Sequence, residues 1–79
     1  MTQTLVSTIV DARGLSCPMP IVKAALWLRS VTSGQLMELL ATDPGSVKDV
    51  VAWCRTTGND LLEQRTDDTG VYHFVIRRA

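Results

Sequence analysis

The sequence has no excess of charge: eight Lys and Arg balance eight Asp and Glu, so the net charge is zero with His neutral. Without a basic surplus to neutralise a phosphate backbone, direct binding of nucleic acid is not expected. Long apolar runs are also missing. No stretch approaches the roughly 20 apolar residues needed to span a bilayer, so no membrane association is expected. The first ten residues, MTQTLVSTIV, lack the basic head and apolar run of a secretory signal. The expected compartment is therefore the cytoplasm. Histidine occurs once and cysteine twice, which is too few for a disulfide framework or a structural zinc site. No metal or organic cofactor is implied, and each thiol needs its own explanation.

What remains is enough for one small domain over residues 1–79. An apolar share of 46% excludes a disordered or collagen-like chain. Because a chain of about 60 residues buries only about 60% of the surface it exposes when unfolded, the core must be compact.

Residues 5–12, LVSTIVDA, mix β-branched residues with alternation and read as a strand. Residues 13–16 form a turn in which Gly14 can take a positive φ. Cys17-Pro18-Met19-Pro20 then opens a helix to about Val31, since proline is tolerated in a first helical turn. Gly34 is its stop. Residues 35–42 read as a second strand. A second helix starts at Asp43-Pro44-Gly45, with Asp43 as its N-cap, and runs to Gly58. Residues 60–66 and 71–78 are strands joined by the turn 67–70. The order β-α-β-α-β-β predicts an α/β two-layer sandwich: a mixed four-stranded sheet with two helices on one face.

At 100° per residue, Ile21, Ala24, Ala25 and Leu28 form the buried stripe of the first helix, with Lys23 and Ser30 opposite. Val47, Val50, Val51 and Cys54 form that of the second. In the last strand Tyr72, Phe74 and Ile76 are assigned to the core, and Val71, His73, Val75 and Arg77 to the other face. Trp27 and Trp53 fall at the stripe margins, either as core edge or as an apolar docking patch.

The two cysteines differ. The phase of Cys54 makes it a buried, inert thiol. Cys17 stands where a helix begins, as its expected N-cap. The helix dipole stabilises an anion there by about 0.3–1 kcal/mol, and one pKa unit corresponds to about 1.4 kcal/mol. The thiol is thus expected to be mildly acidified, with more of the thiolate that attacks sulfur. Pro18 and Pro20 lack N–H groups, so only those of Cys17 and Met19 remain free at the helix start. The same spacing also suits a small residue that merely sits in a loop, and spacing alone does not separate the two.

The string Asp11-x-x-Gly14-Leu15-x-Cys17-Pro18-x-Pro20, after a strand and opening a helix, resembles the signature of the TusA (SirA/YedF-like) sulfur carrier family. The likeness extends over nearly the whole chain, including Asp43-Pro44 before the second helix and the aromatic-rich last strand. It implies a two-layer α/β fold like that of the C-terminal domain of a bacterial translation initiation factor. It also implies that Cys17 holds sulfane sulfur as a persulfide, with Asp11, Arg13, Gly14, Pro18, Met19 and Pro20 as supporting motif. The implied donors are cysteine desulfurase or rhodanese-type proteins, and the implied acceptors include DsrE-type proteins, met as a monomer or in transient complexes. Met19 between the prolines resembles the carriers of sulfur oxidation or thiosulfate handling. Other family routes lead to tRNA 2-thiouridine or molybdenum cofactor, where any tRNA role is indirect. The protein would be a substrate-like carrier rather than a small-molecule enzyme.

The alternatives are a non-catalytic regulatory or redox-sensing module, and a thiol–disulfide oxidoreductase, which lacks a CxxC partner. Arg13 could stabilise a thiolate or steer a donor, or stand solvated beside an Asp11 that accepts turn hydrogen bonds. His73 reads as an ordinary sheet-face histidine remote from Cys17. Arg65, Arg77 and Arg78 read as a solvated face and tail.

Overall fold

A computed structural model describes residues 8–79. The described chain runs β1 (Thr8–Ala12), α1 (Met19–Leu28), β2 (Leu36–Ala41), α2 (Ser46–Thr57), β3 (Asp60–Thr66) and β4 (Tyr72–Arg77). The expected start of the first strand, residues 5–7, lies outside the described residues. The sheet order is β1-β2-β4-β3, with β1 parallel to β2 and β4 antiparallel to both β2 and β3. β3 therefore runs parallel to β2, and both helices are crossovers between parallel strands. Right-handed connections of that kind place α1 and α2 on one face of the sheet, where they meet each other. This is the expected two-layer sandwich.

Alternation fixes the register. Met37, Leu39 and Ala41 of β2 are fully buried toward the helices and pair with Ile76, Phe74 and Tyr72. Ala12, Ala24, Trp27, Val50 and Cys54 complete the core from β1, α1 and α2. α2 stops where Gly58 takes a left-handed φ of 78°, a conformation that costs a residue without Cβ nothing.

The structure corrects several expectations. The buried stripe of α1 is Pro20, Ala24 and Trp27, while Ala25 is exposed and Ile21 and Leu28 are half-buried. Trp27 is thus core rather than margin, because an indole offers far more apolar surface for burial than the methyl of Ala25. Val75 is buried although it lies on the open face. β4 is a central strand, and Glu38 and Glu63 stand beside Val75 on both sides. α1 ends at Leu28 instead of Val31: the N–H groups of Arg29 and Ser30 turn back to the carbonyls of Leu26 and Trp27, and Ser30 Oγ also donates to Trp27. Arg78 is not a solvated tail residue, since its Nε donates to the Leu28 carbonyl at 3.1 Å, a favourable place for a cation at a helix C-terminus.

The open face carries a charged cluster. His73 meets Glu38 through Nδ1 at 2.6 Å and Asp67 through Nε2 at 2.8 Å. Asp67 also accepts from Thr69 and Val71, closing the β3–β4 turn. Its bond to Asp67, then that to Glu38, raises the His73 pKa above 6.5, against burial and the charge of Arg65. His73, first among its partners, holds Asp67 well below the usual carboxylate range. The signs give a window. A raised histidine stabilises the fold fully below its unfolded pKa of about 6.5, and that contribution disappears as pH rises through the folded value. A depressed aspartate contributes above about 3.9 and is lost only in strong acid. Stability is therefore expected to fall in urea titrations as pH rises above about 6.5 and through the raised folded pKa of His73, and His73→Gln should flatten that slope. An equal slope in the variant would exclude His73 as its source.

Candidate functional site

Parallel pairing of β1 with β2 brings their C-terminal ends together at Ala12 and Ala41. The loops that follow, one leading to α1 and one to α2, therefore meet at a single sheet edge. Gly14 has φ 78° and donates its N–H to Thr42 Oγ1 at 2.9 Å. Only a residue without Cβ takes that conformation without strain. Leu15 turns inward and packs against the core, which leaves Ser16 and Cys17 at the surface.

Cys17 is an exposed, free thiol. Contrary to expectation it is not the N-cap of α1. That position is Pro18, which follows a cis Cys17–Pro18 peptide bond, and Cys17 precedes it. Nor does the start of α1 leave its own N–H groups open for a thiolate. The Cys17 N–H donates to Asp43 Oδ2 at 2.8 Å, and that of Met19 to the Ser16 carbonyl at 2.9 Å. The N–H groups of Ile21 and Val22 turn to the Pro18 carbonyl. Pro20 is buried under the helix while Met19 is exposed.

Asp43 is likewise not the cap of α2, which begins after Gly45. Its main-chain carbonyl accepts from Ser46, and its carboxylate reaches across to the other loop. Gly45 lies beside the thiol: a Cβ on it would stand 3.5 Å from Asp43 Oδ2 and 3.9 Å from the Cys17 Cβ, both ordinary van der Waals contacts. Asp43→Ala removes the acceptor that ties the two loops. It is expected to lower the unfolding free energy by about 1 kcal/mol in urea titrations. Asp43→Asn keeps an acceptor oxygen and should stay near the parent; equal loss in both would mean that the tie is not what matters.

The Cys17 thiol itself donates to Asp49 Oδ2, from the first turn of α2. Asp49, then burial and the charge of Asp43, raises the Cys17 pKa. The expected acidification by a helix dipole is overturned, because the charges facing the sulfur are the carboxylates of Asp49 and Asp43. Asp49 was not foreseen from the sequence. The available signal was topological, since two parallel strands whose loops share an edge place the first turn of α2 beside the start of α1.

The other motif residues gather around this edge without touching the sulfur. Arg13 forks onto Asp11, with Nε at 2.9 Å and Nη2 at 2.8 Å, and its N–H also bonds Asp11. Arg13 thereby holds Asp11 well below the usual carboxylate range and is spent on that pair. Lys23 donates to the Asp11 carbonyl at 2.9 Å. Met19, Val22 and Leu26, at i, i+3 and i+7, form an exposed apolar stripe on α1 that the sequence reading missed. Cys54 lies in the core, its thiol pushed up to about 11 by burial and then by Asp60. Among the described residues no group of His, Cys, Asp and Glu is arranged to hold a metal ion, and no helix is long and apolar enough to cross a membrane.

The family model described as sulfurtransferase TusA matches residues 8–78. The sulfur carrier protein TusA of Allochromatium vinosum is 46% identical over 70 residues, covering 89% of this chain and 91% of the relative. The putative sulfur carrier protein YrkI of Bacillus subtilis is 44% identical over 71 residues, 90% of this chain and 93% of that protein. In fold, the crystal structure of a SirA-like protein from Desulfitobacterium hafniense superposes with a TM-score of 0.80 at 24% identity, covering 89% of this chain and 95% of that one. By its family match and by its identity to these relatives, the chain belongs to the TusA sulfurtransferase family.

Proposed function

We propose that this protein is a sulfur carrier that holds sulfane sulfur as a persulfide on Cys17 and passes it from a donor protein to an acceptor protein. The observation that carries the reading is the contrast between its two thiols. Cys17 is exposed at the loop edge, and Cys54 is in the core. Loading proceeds by attack of the Cys17 sulfur on the outer sulfur of a donor persulfide. Delivery proceeds by attack of an acceptor thiol on the outer sulfur then held by Cys17. Both steps need a sulfur that two proteins can reach in turn, which a buried thiol does not provide.

The names of the relatives support the same reading. Donors of the desulfurase or rhodanese type, and acceptors of the DsrE type, are the partners expected. Met19 between the prolines favours a sulfur-oxidising or thiosulfate-handling route over tRNA thiolation. The test is mass spectrometry after incubation with a cysteine desulfurase and cysteine, or with rhodanese and thiosulfate. One added sulfur is expected on the Cys17 peptide, removable by reductant. A Cys17–Cys54 disulfide without sulfur uptake would favour the redox-sensing alternative.

A further inference from the structure

The hydrogen bond from the Cys17 thiol to Asp49 sets two requirements against each other. A carboxylate beside the sulfur keeps the proton on, while attack on a persulfide needs the proton off. A carboxylate in direct contact with that proton can also remove it, because a general base must lie within hydrogen-bond reach of the proton it takes. Two carboxylates face the sulfur. Asp43, from the loop before α2, is engaged by the Cys17 N–H. Asp49, from α2, is the one on the thiol. The nearest motif cation, Arg13, is held by Asp11.

We infer that Asp49 is the proton acceptor for Cys17 during sulfur loading. The inference rests on the sulfur-carrier reading and adds a second catalytic residue to it. As the Cys17 sulfur bonds to the outer sulfur of a donor persulfide, R–S–SH, its proton passes to Asp49 Oδ2. The donor S–S bond breaks, and its electron pair leaves on the inner sulfur as a thiolate. Asp49 or water then protonates that thiolate. The sum is R–S–SH + Cys17–SH → R–SH + Cys17–S–SH. The sulfane sulfur keeps its oxidation state, so no outside oxidant or reductant enters.

Two rates measured side by side test this, both on folded protein checked by circular dichroism. One is alkylation of Cys17 by iodoacetamide across pH, and the other is loading from a cysteine desulfurase supplied with cysteine. Asp49→Asn should shift the alkylation midpoint to lower pH, since the carboxylate that holds the proton is gone. It should nevertheless load about 100-fold more slowly near neutrality. Wild-type loading should be flat between about pH 6 and 8, whereas the Asn variant should speed up in proportion to hydroxide. Asp49→Glu should restore the flat profile. If alkylation and loading both accelerate in Asp49→Asn, the carboxylate is only an electrostatic burden and the inference fails. Wild-type loading that itself rises in proportion to hydroxide overturns it without any variant. A wild type that takes no sulfur removes the carrier reading and this inference together, while equal loading by wild type and Asp49→Asn removes the proton role alone.

Discussion

A Cys17→Ser protein is expected to take up no sulfur, while a Cys54→Ala protein loads as the parent does. The substitution at Cys17 is nearly isosteric, and a serine hydroxyl can still donate to Asp49, so the loop edge should keep its shape. What disappears is the nucleophile. An alcohol is far less acidic and less nucleophilic toward sulfur than a thiol, and no persulfide can form on oxygen. Cys54 cannot substitute for it. It is only 4% exposed, and its pKa is pushed up to about 11. Near pH 7 roughly one Cys54 in ten thousand would be a thiolate even if a donor could reach it. Alanine is the better control at position 54, because serine would place a hydroxyl in an apolar core at a cost of about 1–3 kcal/mol. Sulfur found on the Cys54 peptide, or retained in Cys17→Ser, would reverse the assignment of the two thiols.

The elements of the fold were legible in the sequence because their signals are local. β-branched alternation marks the strands, Gly58 stops α2 with a positive φ, and Asp67 organises a turn with residues two and four positions on. Where the reading missed, a tertiary contact outcompeted a local preference. Asp43-Pro44 has the form of a helix cap, yet the Asp43 carboxylate goes to a backbone N–H 26 residues away. Cys17 has the position of an N-cap, yet Pro18 takes it. The rotation of α1 follows from the size of Trp27, and the burial of Val75 from the neighbours of a central strand, neither of which shows in the phase of one element alone.

The site itself was half legible. The exposed thiol could be located from the turn before it and the prolines after it. Its electrostatics could not, because Asp49 lies 32 residues away and becomes a neighbour only through the parallel pairing of β1 and β2. The consequence is chemical. A sulfur activated by a helix dipole would rest partly as thiolate, whereas a sulfur bonded to a carboxylate rests protonated and depends on proton transfer when it reacts.

The largest effect on stability is expected from Phe74→Ala, with a loss of about 3–5 kcal/mol in urea or thermal unfolding. Phe74 is the largest of the fully buried side chains. It lies on β4, between Leu39 of β2 and Gln64 of β3 in register, and faces the layer of helices. Removing the ring deletes its transfer energy and leaves a cavity that several elements border. The flanking strands are each held to β4 by main-chain hydrogen bonds and cannot close over it. A chain of 79 residues has in total roughly 4–12 kcal/mol of stability to lose. The variant should therefore be unfolded in part at 37 °C, with a lower yield as the first sign. Leu26→Ala on the exposed face of α1 is the matched control and should change stability by no more than about 0.5 kcal/mol. If Phe74→Ala cost as little as Leu26→Ala, the core would not be centred between β4 and the helices as described.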